Sequence, residues 1–155
     1  MSEIERTLVF VKPDGVQRAL IGEILSRFER MGLKLVGAKL VWMDTDFSRK
    51  HYAEHVDKPF YKDMEKFITE GPVMALVLEG RGAISVVRKM VGSTKPEEAI
   101  PGTIRGDFAH DLGDSRNVVH ASANEVDAKR EIKLWFKPTE LHSYRRADER
   151  QVLFQ

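Results

Sequence analysis

The sequence predicts one mixed α and β domain built on a small buried sheet, and three observations carry that prediction. Short runs of β-branched and aromatic residues alternate with segments whose apolar residues recur at helical spacing. The 155 residues have a 42% hydrophobic share, enough for a single core of ordinary size. No linker, repeat or low-complexity segment divides the chain, so 1–155 reads as one domain.

The first element is Thr7-Leu8-Val9-Phe10-Val11, apolar almost throughout, which stops at Lys12-Pro13-Asp14-Gly15 and reads as a buried strand ending in a turn. Lys12 closes that strand either as a solvated end or as a charge with a task. Residues 20–31 put Leu20, Ile21, Ile24, Leu25, Phe28 and Met31 on one helical face, closed by Gly32. A second strand follows over 33–42, after which Asp46 or Ser48 can start a helix holding His51, Tyr52 and His55. His51-Tyr52-Ala53-Glu54-His55 formally matches the H-x-x-E-H pattern of a class of zinc peptidases, while its polarity is that of an ordinary exposed helix.

Pro59-Phe60-Tyr61 opens a further helical pattern through Met64, Phe67 and Ile68, in which Phe60 is either core or a stacking platform at a pocket mouth. Gly71-Pro72 punctuates the chain, and Val73-Met74-Ala75-Leu76-Val77-Leu78 is the third strand. Gly80-Arg81-Gly82-Ala83-Ile84-Ser85 is part of a dinucleotide fingerprint with serine at the third glycine, and reads as a turn. The helix after it carries Arg88 and ends near Val91-Gly92.

Residues 92–116 form the least regular stretch, with Thr94, Lys95, Pro101-Gly102-Thr103 and Arg105-Gly106-Asp107. A loop of that length in a compact domain is uncommon and usually functional, and its chemistry is that of anion recognition. It leads into Val118-Val119-His120, a short strand that delivers a histidine to a strand-to-helix junction. Taken alone, His120 is either satisfied in a core or held out into a pocket. Ser122 and Glu125 have the S-x-x-E spacing of a capping box, and Val126, Ile132, Leu134 and Phe136 supply apolar positions to a helix over 124–136. Lys137-Pro138 stops that helix, and the charged tail through 145–150 reads as covering a neighbour or a second subunit.

Composition narrows the partners. Twenty-five basic residues against 24 acidic ones leave a net charge of +1, so nucleic acid is not an expected partner and any anion site has to be local. Cysteine is absent, which excludes a disulfide scaffold and thiol chemistry. No run has signal-peptide or membrane-span character, so the expectation is a cytoplasmic protein without a membrane partner. Val152-Leu153-Phe154-Gln155 resembles the remnant of a protease-cleavable tag and is set aside from the fold.

Lys12, Arg88, Arg105, Thr94, Tyr52 and His55 gathered around His120 would describe a polyphosphate site. The P-loop pattern and the protein-kinase signatures are both missing. A kinase built from these groups therefore needs a histidine that takes the phosphoryl group covalently. Such a histidine must be neutral, with its second nitrogen held by an acceptor, and Glu131 is a candidate for that acceptor.

Glu5-Arg6-Thr7, Lys12-Pro13-Asp14-Gly15-Val16, Pro101-Gly102-Thr103-Ile104-Arg105-Gly106-Asp107 and Asn117-Val118-Val119-His120 resemble the motifs of nucleoside diphosphate kinases, over about Glu5 to Tyr144. The resemblance implies an α+β fold, a ferredoxin-like β-α-β-β-α-β sandwich with a four-stranded antiparallel sheet. It implies ping-pong transfer of a γ-phosphoryl group from a nucleoside triphosphate to a nucleoside diphosphate, with Mg²⁺ carried on the phosphates and broad base tolerance. It implies a homo-oligomer, a hexamer ahead of a tetramer.

Residue by residue, it makes His120 the phosphorylated histidine, with Lys12 and Asn117 holding ribose hydroxyls and the transferring phosphate. Phe60 and Leu112 would hold the base, while Tyr52, His55, Arg88, Thr94 and Arg105 would line the phosphates. Glu131 and Ser122 would support the histidine from behind. This chain departs from the family in reading His120-Ala121-Ser122-Ala123 in place of H-G-S-D, and in a stretch from Leu112 to Asn117 that is two residues longer than the common form. A nucleotide-binding module that kept the pocket but not turnover is the alternative reading, and phosphate exchange between ATP and GDP separates the two.

Overall fold

The computed structural model describes residues 2–110 and 115–152; Leu112 and the last three residues of the tag-like segment lie outside the described residues. Four strands, β1 (Ile4–Val11), β2 (Lys34–Val41), β3 (Val73–Arg81) and β4 (Val119–Ala121), form one sheet in the order β2-β3-β1-β4. Every neighbouring pair is antiparallel. With α2 (Ile21–Arg30) between β1 and β2 and α5 (Ala83–Val91) between β3 and β4, this is the ferredoxin-like arrangement that the family resemblance implies.

The central strands are buried on both faces, which is why they read as continuous apolar runs. Alternation along β1 sends Val9 and Val11 to one face, against Ile24 and Phe28 of α2 and Val87 of α5. It sends Leu8 and Phe10 to the other, against Tyr61 and Ile68 of α4 (Tyr61–Ile68) and Trp135 of α7 (Glu125–Trp135). A further helix, α3 (Thr45–His51), packs against α4 and α7 on that second face.

Several local expectations need correcting. The segment after Lys12 is not a simple turn but a short helix, α1 (Pro13–Gln17), with proline at its first position where a missing N–H costs nothing. Helix α3 starts from Asp44, whose carboxylate accepts from the Phe47 amide at 2.7 Å, ahead of the predicted starts at Asp46 and Ser48. The capping box at Ser122 does not form. Asn124 caps α7 instead, accepting from the Asp127 amide at 2.8 Å, because Ser122 is still tied to β1 by its own amide, 3.1 Å from the Leu8 carbonyl. Along α7, Ala128, Glu131 and Trp135 face inward and Val126 is 76% exposed.

The 92–116 stretch is not structureless, since it holds a 3₁₀ turn at Pro96–Glu98 and a short helix, α6 (Ile104–Phe108). The tail covers part of the β2 edge of its own chain, where His142 donates from its amide to Val36 O at 2.8 Å. Among the described residues no helix is long and apolar enough to cross a membrane.

Candidate active site

The site begins where β1 runs out. Lys12, at its end, donates from its amide to the Val118 carbonyl at 2.8 Å, and the Asp14 carboxylate accepts from the Val118 amide at 3.0 Å. These bonds hold Val118 at φ 73°, a left-handed conformation that a β-branched residue rarely adopts. The Val119 amide closes a tight γ-turn onto Asn117 O at 2.8 Å. Such strain costs about 1–3 kcal/mol and persists only where the surroundings impose it. Gly15 is part of that imposition, because a Cβ there would meet Val11 Cγ1 at 2.7 Å and Val118 O at 3.0 Å. The turn sets the Asn117 side chain and His120 on the same side of the sheet end, facing Lys12.

His120 is the direct cross-strand partner of Phe10, and their rings stack with centroids 4.7 Å apart at 23°. Its Nε2 lies 2.8 Å from Oε1 of Glu131, which also accepts from the Ser122 hydroxyl at 2.9 Å. A carboxylate only accepts, so the imidazole proton is on Nε2 and Nδ1 keeps a lone pair. Burial, with Lys12, Arg105, Arg88 and Arg130 nearby, holds the His120 pKa well below the usual imidazole range, and the ring is neutral at neutral pH. Burial raises the Glu131 carboxyl, against His51, Ser122, Arg130 and Arg88, which lower it.

A second histidine stands edge-on to the first. His51 is buried at the end of α3, with its ring centroid 4.7 Å from that of His120. Within the described residues His51, His120 and Glu131 group their ligand-type atoms inside 4.8 Å. The hydrogen bonds argue against a cation there. Trp135 Nε1–H donates to Nδ1 of His51 at 2.9 Å, so the single proton of this neutral ring is on Nε2 and no lone pair remains for a metal. The zinc-peptidase reading of His51, Glu54 and His55 fails as well, because α3 ends at His51 and His55 Nδ1 is paired with the Lys58 ammonium at 2.9 Å.

Around His120 opens a cleft of about 480 Å³ that brings together nearly all the predicted site residues: Lys12, Tyr52, His55, Phe60, Arg88, Thr94, Arg105, Asn117, His120 and Glu131. A larger groove of about 1100 Å³ lies elsewhere, against Phe47, Ile132 and Phe136, and holds only charged residues of the surface beside its apolar floor. The chemistry is therefore in the smaller cleft. Lys12 Nζ donates to Asn117 Oδ1 at 2.7 Å and to Ser115 O at 3.1 Å, and Asn117 Nδ2 donates to Thr94 O at 2.9 Å. Burial, then the Arg105 charge, pulls the Lys12 ammonium down to about 7.

Arg105 is 4% exposed and spends Nε on Asn117 O at 3.2 Å, Nη1 on Gly92 O at 3.2 Å and Nη2 on Val119 O at 2.6 Å. Among the described residues, two of its five N–H donors have no partner and can serve a ligand. Among the described residues Arg88 makes one marginal hydrogen bond, from Nη1 to Ala121 O at 3.5 Å, and its guanidinium is far less committed to the protein. The Tyr52 hydroxyl is buried with no partner among the described residues. Burial raises its pKa, so it is a donor at any working pH. Phe60 is 49% exposed at the mouth, beside His55 with ring centroids 5.8 Å apart.

Ser122 lies behind the cleft and reaches it only through Glu131. Ala121 is buried in β4 outside the positive-φ region, so its methyl group beside the histidine brings no backbone strain. Sequence reading missed His51 as a partner of His120, and it missed Trp135 and Arg130 altogether. The only signal for Arg130 is its position next to Glu131 on a helix. The arrangement offers an imidazole nitrogen with a free lone pair, facing cationic and hydroxyl donors. It suits attack on a phosphorus whose oxygens are neutralised by those donors.

Comparison with known proteins gives the same direction. The family model described as nucleoside diphosphate kinase matches residues 5–141. A nucleoside diphosphate kinase of Pyrococcus furiosus is 55% identical over 148 residues, 95% of this chain and 92% of that protein. The structure of a nucleoside-diphosphate kinase from Borrelia burgdorferi, a transition-state mimic with bound vanadate and ADP, superposes with a TM-score of 0.92 at 47% identity and covers 98% of each chain. A halophilic nucleoside diphosphate kinase from Halobacterium salinarum in complex with CDP has a TM-score of 0.92 at 48% identity, covering 96% of this chain and 98% of that one.

Proposed function

The chain belongs to the nucleoside diphosphate kinase family, which moves phosphoryl groups between nucleoside tri- and diphosphates, and on that premise we propose a ping-pong reaction through a phosphohistidine at His120. The observation that carries this reading is the free Nδ1 lone pair of His120, set by the 2.8 Å contact of Nε2 with Glu131 and facing the cations of the cleft. In the first half-reaction Nδ1 attacks the γ-phosphorus, the bond from that phosphorus to the β–γ bridging oxygen breaks, and the nucleoside diphosphate leaves. Nε2 keeps its proton, so the phosphorylated ring is positive, and the Glu131 carboxylate stabilises that charge. The second half-reaction reverses these bonds with a new diphosphate.

Arg88, Thr94, Arg105, Tyr52 and His55 hold the phosphates in this reading, and Lys12 with Asn117 holds the ribose hydroxyls and the transferring group. The base stacks on Phe60. Stacking is sequence-tolerant because every base has a π-face, which supports broad base tolerance. A cleft lined by Lys12, Arg88 and Arg105 fits anionic phosphates rather than a bare cation, so Mg²⁺ enters as part of the nucleotide substrate and neutralises its charge.

The enzyme works as a cytoplasmic single-domain homo-oligomer, a hexamer ahead of a tetramer. Leu40 and Trp42, 59% and 67% exposed at the β2 edge, supply apolar surface for assembly. Initial rates with ATP as donor and GDP, CDP or UDP as acceptor test the reading. Parallel double-reciprocal lines for all three acceptors are expected. Intersecting lines, or turnover with only one acceptor, would contradict it.

A further inference from the structure

We infer that Arg130 is a positioning residue that keeps Glu131 an ionised acceptor for His120 and thereby sets the acid limit of phosphoryl transfer. The inference rests on the reading of His120 as the phosphoryl acceptor. It begins from an asymmetry in the Glu131 carboxylate, which is 4% exposed. Oε1 accepts from both His120 and Ser122, whereas the cation beside Oε2 is Arg130, with Nη2 at 3.7 Å.

The guanidinium is itself held in place. Nη1 donates to Lys50 O at 3.4 Å and Nη2 to His51 O at 3.3 Å, carbonyls of the last turn of α3, where a helix favours positive charge. Arg130 thus ties α7 to the end of α3 and leaves its charge next to Glu131. The other groups facing the Glu131–His120 pair are His51 and Tyr52 from α3 and its end, Arg88 from α5, Ser122 after β4, and Lys12 with Arg105. His51 and Tyr52 are neutral. Arg88 and Lys12 point into the cleft, where bound phosphates absorb their charge. Arg130 is anchored on protein carbonyls, and its charge still faces Glu131 when nucleotide is bound.

That charge matters because of the tautomer. A protonated Glu131 can donate to Nε2 of His120, which moves the ring proton to Nδ1 and removes the attacking lone pair. Arg130 opposes protonation of the carboxylate and of the imidazole alike. Removing it raises both affinities for protons, and the two effects push the acid limb in the same direction.

The test is the pH dependence of single-turnover phosphohistidine formation in full-length wild type, Arg130→Met and Arg130→Lys. Because an opposite charge within about 4–6 Å of a carboxyl lowers it by about 1–3 units, and Arg130 is partly exposed, Arg130→Met should move the acid limb up by about one pH unit. Its rate above the limb and its nucleotide KM should stay near those of wild type. Arg130→Lys, which keeps the charge, should leave the limb in place. An Arg130→Met limb that stays in place, with the rate lowered by one factor at every pH, overturns the inference and leaves Arg130 a structural tie. Should Arg130→Met not fold, Arg130→Gln with ¹⁵N NMR of His120 decides the matter. An Nδ1 that stays unprotonated in Arg130→Gln down to the wild-type limit overturns it too. Wild-type protein that takes no label on His120 would overturn the nucleophile reading itself, a separate result.

Discussion

Nζ of Lys12 lies 2.7 Å from Oδ1 of Asn117, and this pair joins the end of β1 to the strained turn that aims His120. The lysine is buried, its ammonium pulled down to about 7 by desolvation and then by Arg105. The unfolded chain holds that proton to about pH 10.4, so between the two values the unfolded state binds more protons and stability rises with pH. Wild-type protein without nucleotide should therefore gain thermal stability relative to Lys12→Met as the pH is raised from about 7 towards 9. Phosphate oxygens favour the ammonium, so nucleotide binding near pH 8 should take up a proton in wild type and not in the variant. Calorimetry in two buffers of different ionisation enthalpy measures that uptake, and equal apparent enthalpies in the two buffers would contradict it.

The two arginines of the cleft should separate cleanly. Arg105 is a buried cation whose three nitrogens satisfy the carbonyls of Gly92, Asn117 and Val119. Arg105→Ala leaves the Gly92 and Val119 carbonyls without their side-chain donor, while Asn117 O keeps its bond from the Val119 amide, and should cost about 2–4 kcal/mol of stability. Arg88 is exposed with one marginal contact, so Arg88→Ala should change stability by less than about 0.5 kcal/mol while lowering kcat/KM. Urea denaturation of both variants decides this, and equal losses of stability would show that Arg88 is also structural.

The start of α7 makes a similar division. Asn124→Ala removes the cap and should cost about 1 kcal/mol with activity retained. Ser122→Ala removes the second donor to Glu131 Oε1, so it should lower kcat while leaving helix content by circular dichroism unchanged. The opposite pattern would restore the capping box read from the sequence.

At the mouth, Phe60→Ala should raise KM for purine and pyrimidine nucleotides alike by about 10-fold, since base stacking on an aromatic contributes about 1–3 kcal/mol. Steady-state kinetics with four diphosphates measures it. A loss confined to one base would mean that edge contacts, not stacking, hold the nucleotide.

What the sequence showed and what it hid follow from how local each signal is. The runs at 7–11 and 73–78 are legible because both strands are central and buried on both faces. The cations and His120 are legible because their residue types in one chain already define a phosphate chemistry. The positive φ of Val118 is not legible, since it is imposed by Asp14 and Lys12 from the other end of the chain. Nor is the choice of Asn124 over Ser122 as cap, because Ser122 is held back by its pairing with Leu8 and its bond to Glu131. The H-x-x-E-H match misleads for the same reason: α3 stops at His51, and Trp135 from a distant helix fixes that histidine's tautomer. Arg105 reads as a phosphate ligand in sequence, and in the fold three of its nitrogens clamp backbone carbonyls.

In the proposed reaction Nδ1 of His120 accepts the phosphoryl group. Incubation of the protein with γ-³²P-labelled ATP and no acceptor, followed by proteolysis and NMR of the labelled peptide, tests it directly. An acid-labile, base-stable phosphoryl group is expected on Nδ1 of His120, discharged on adding GDP and absent from His120→Gln. Phosphate on Nε2, on another residue, or undiminished in His120→Gln would contradict it.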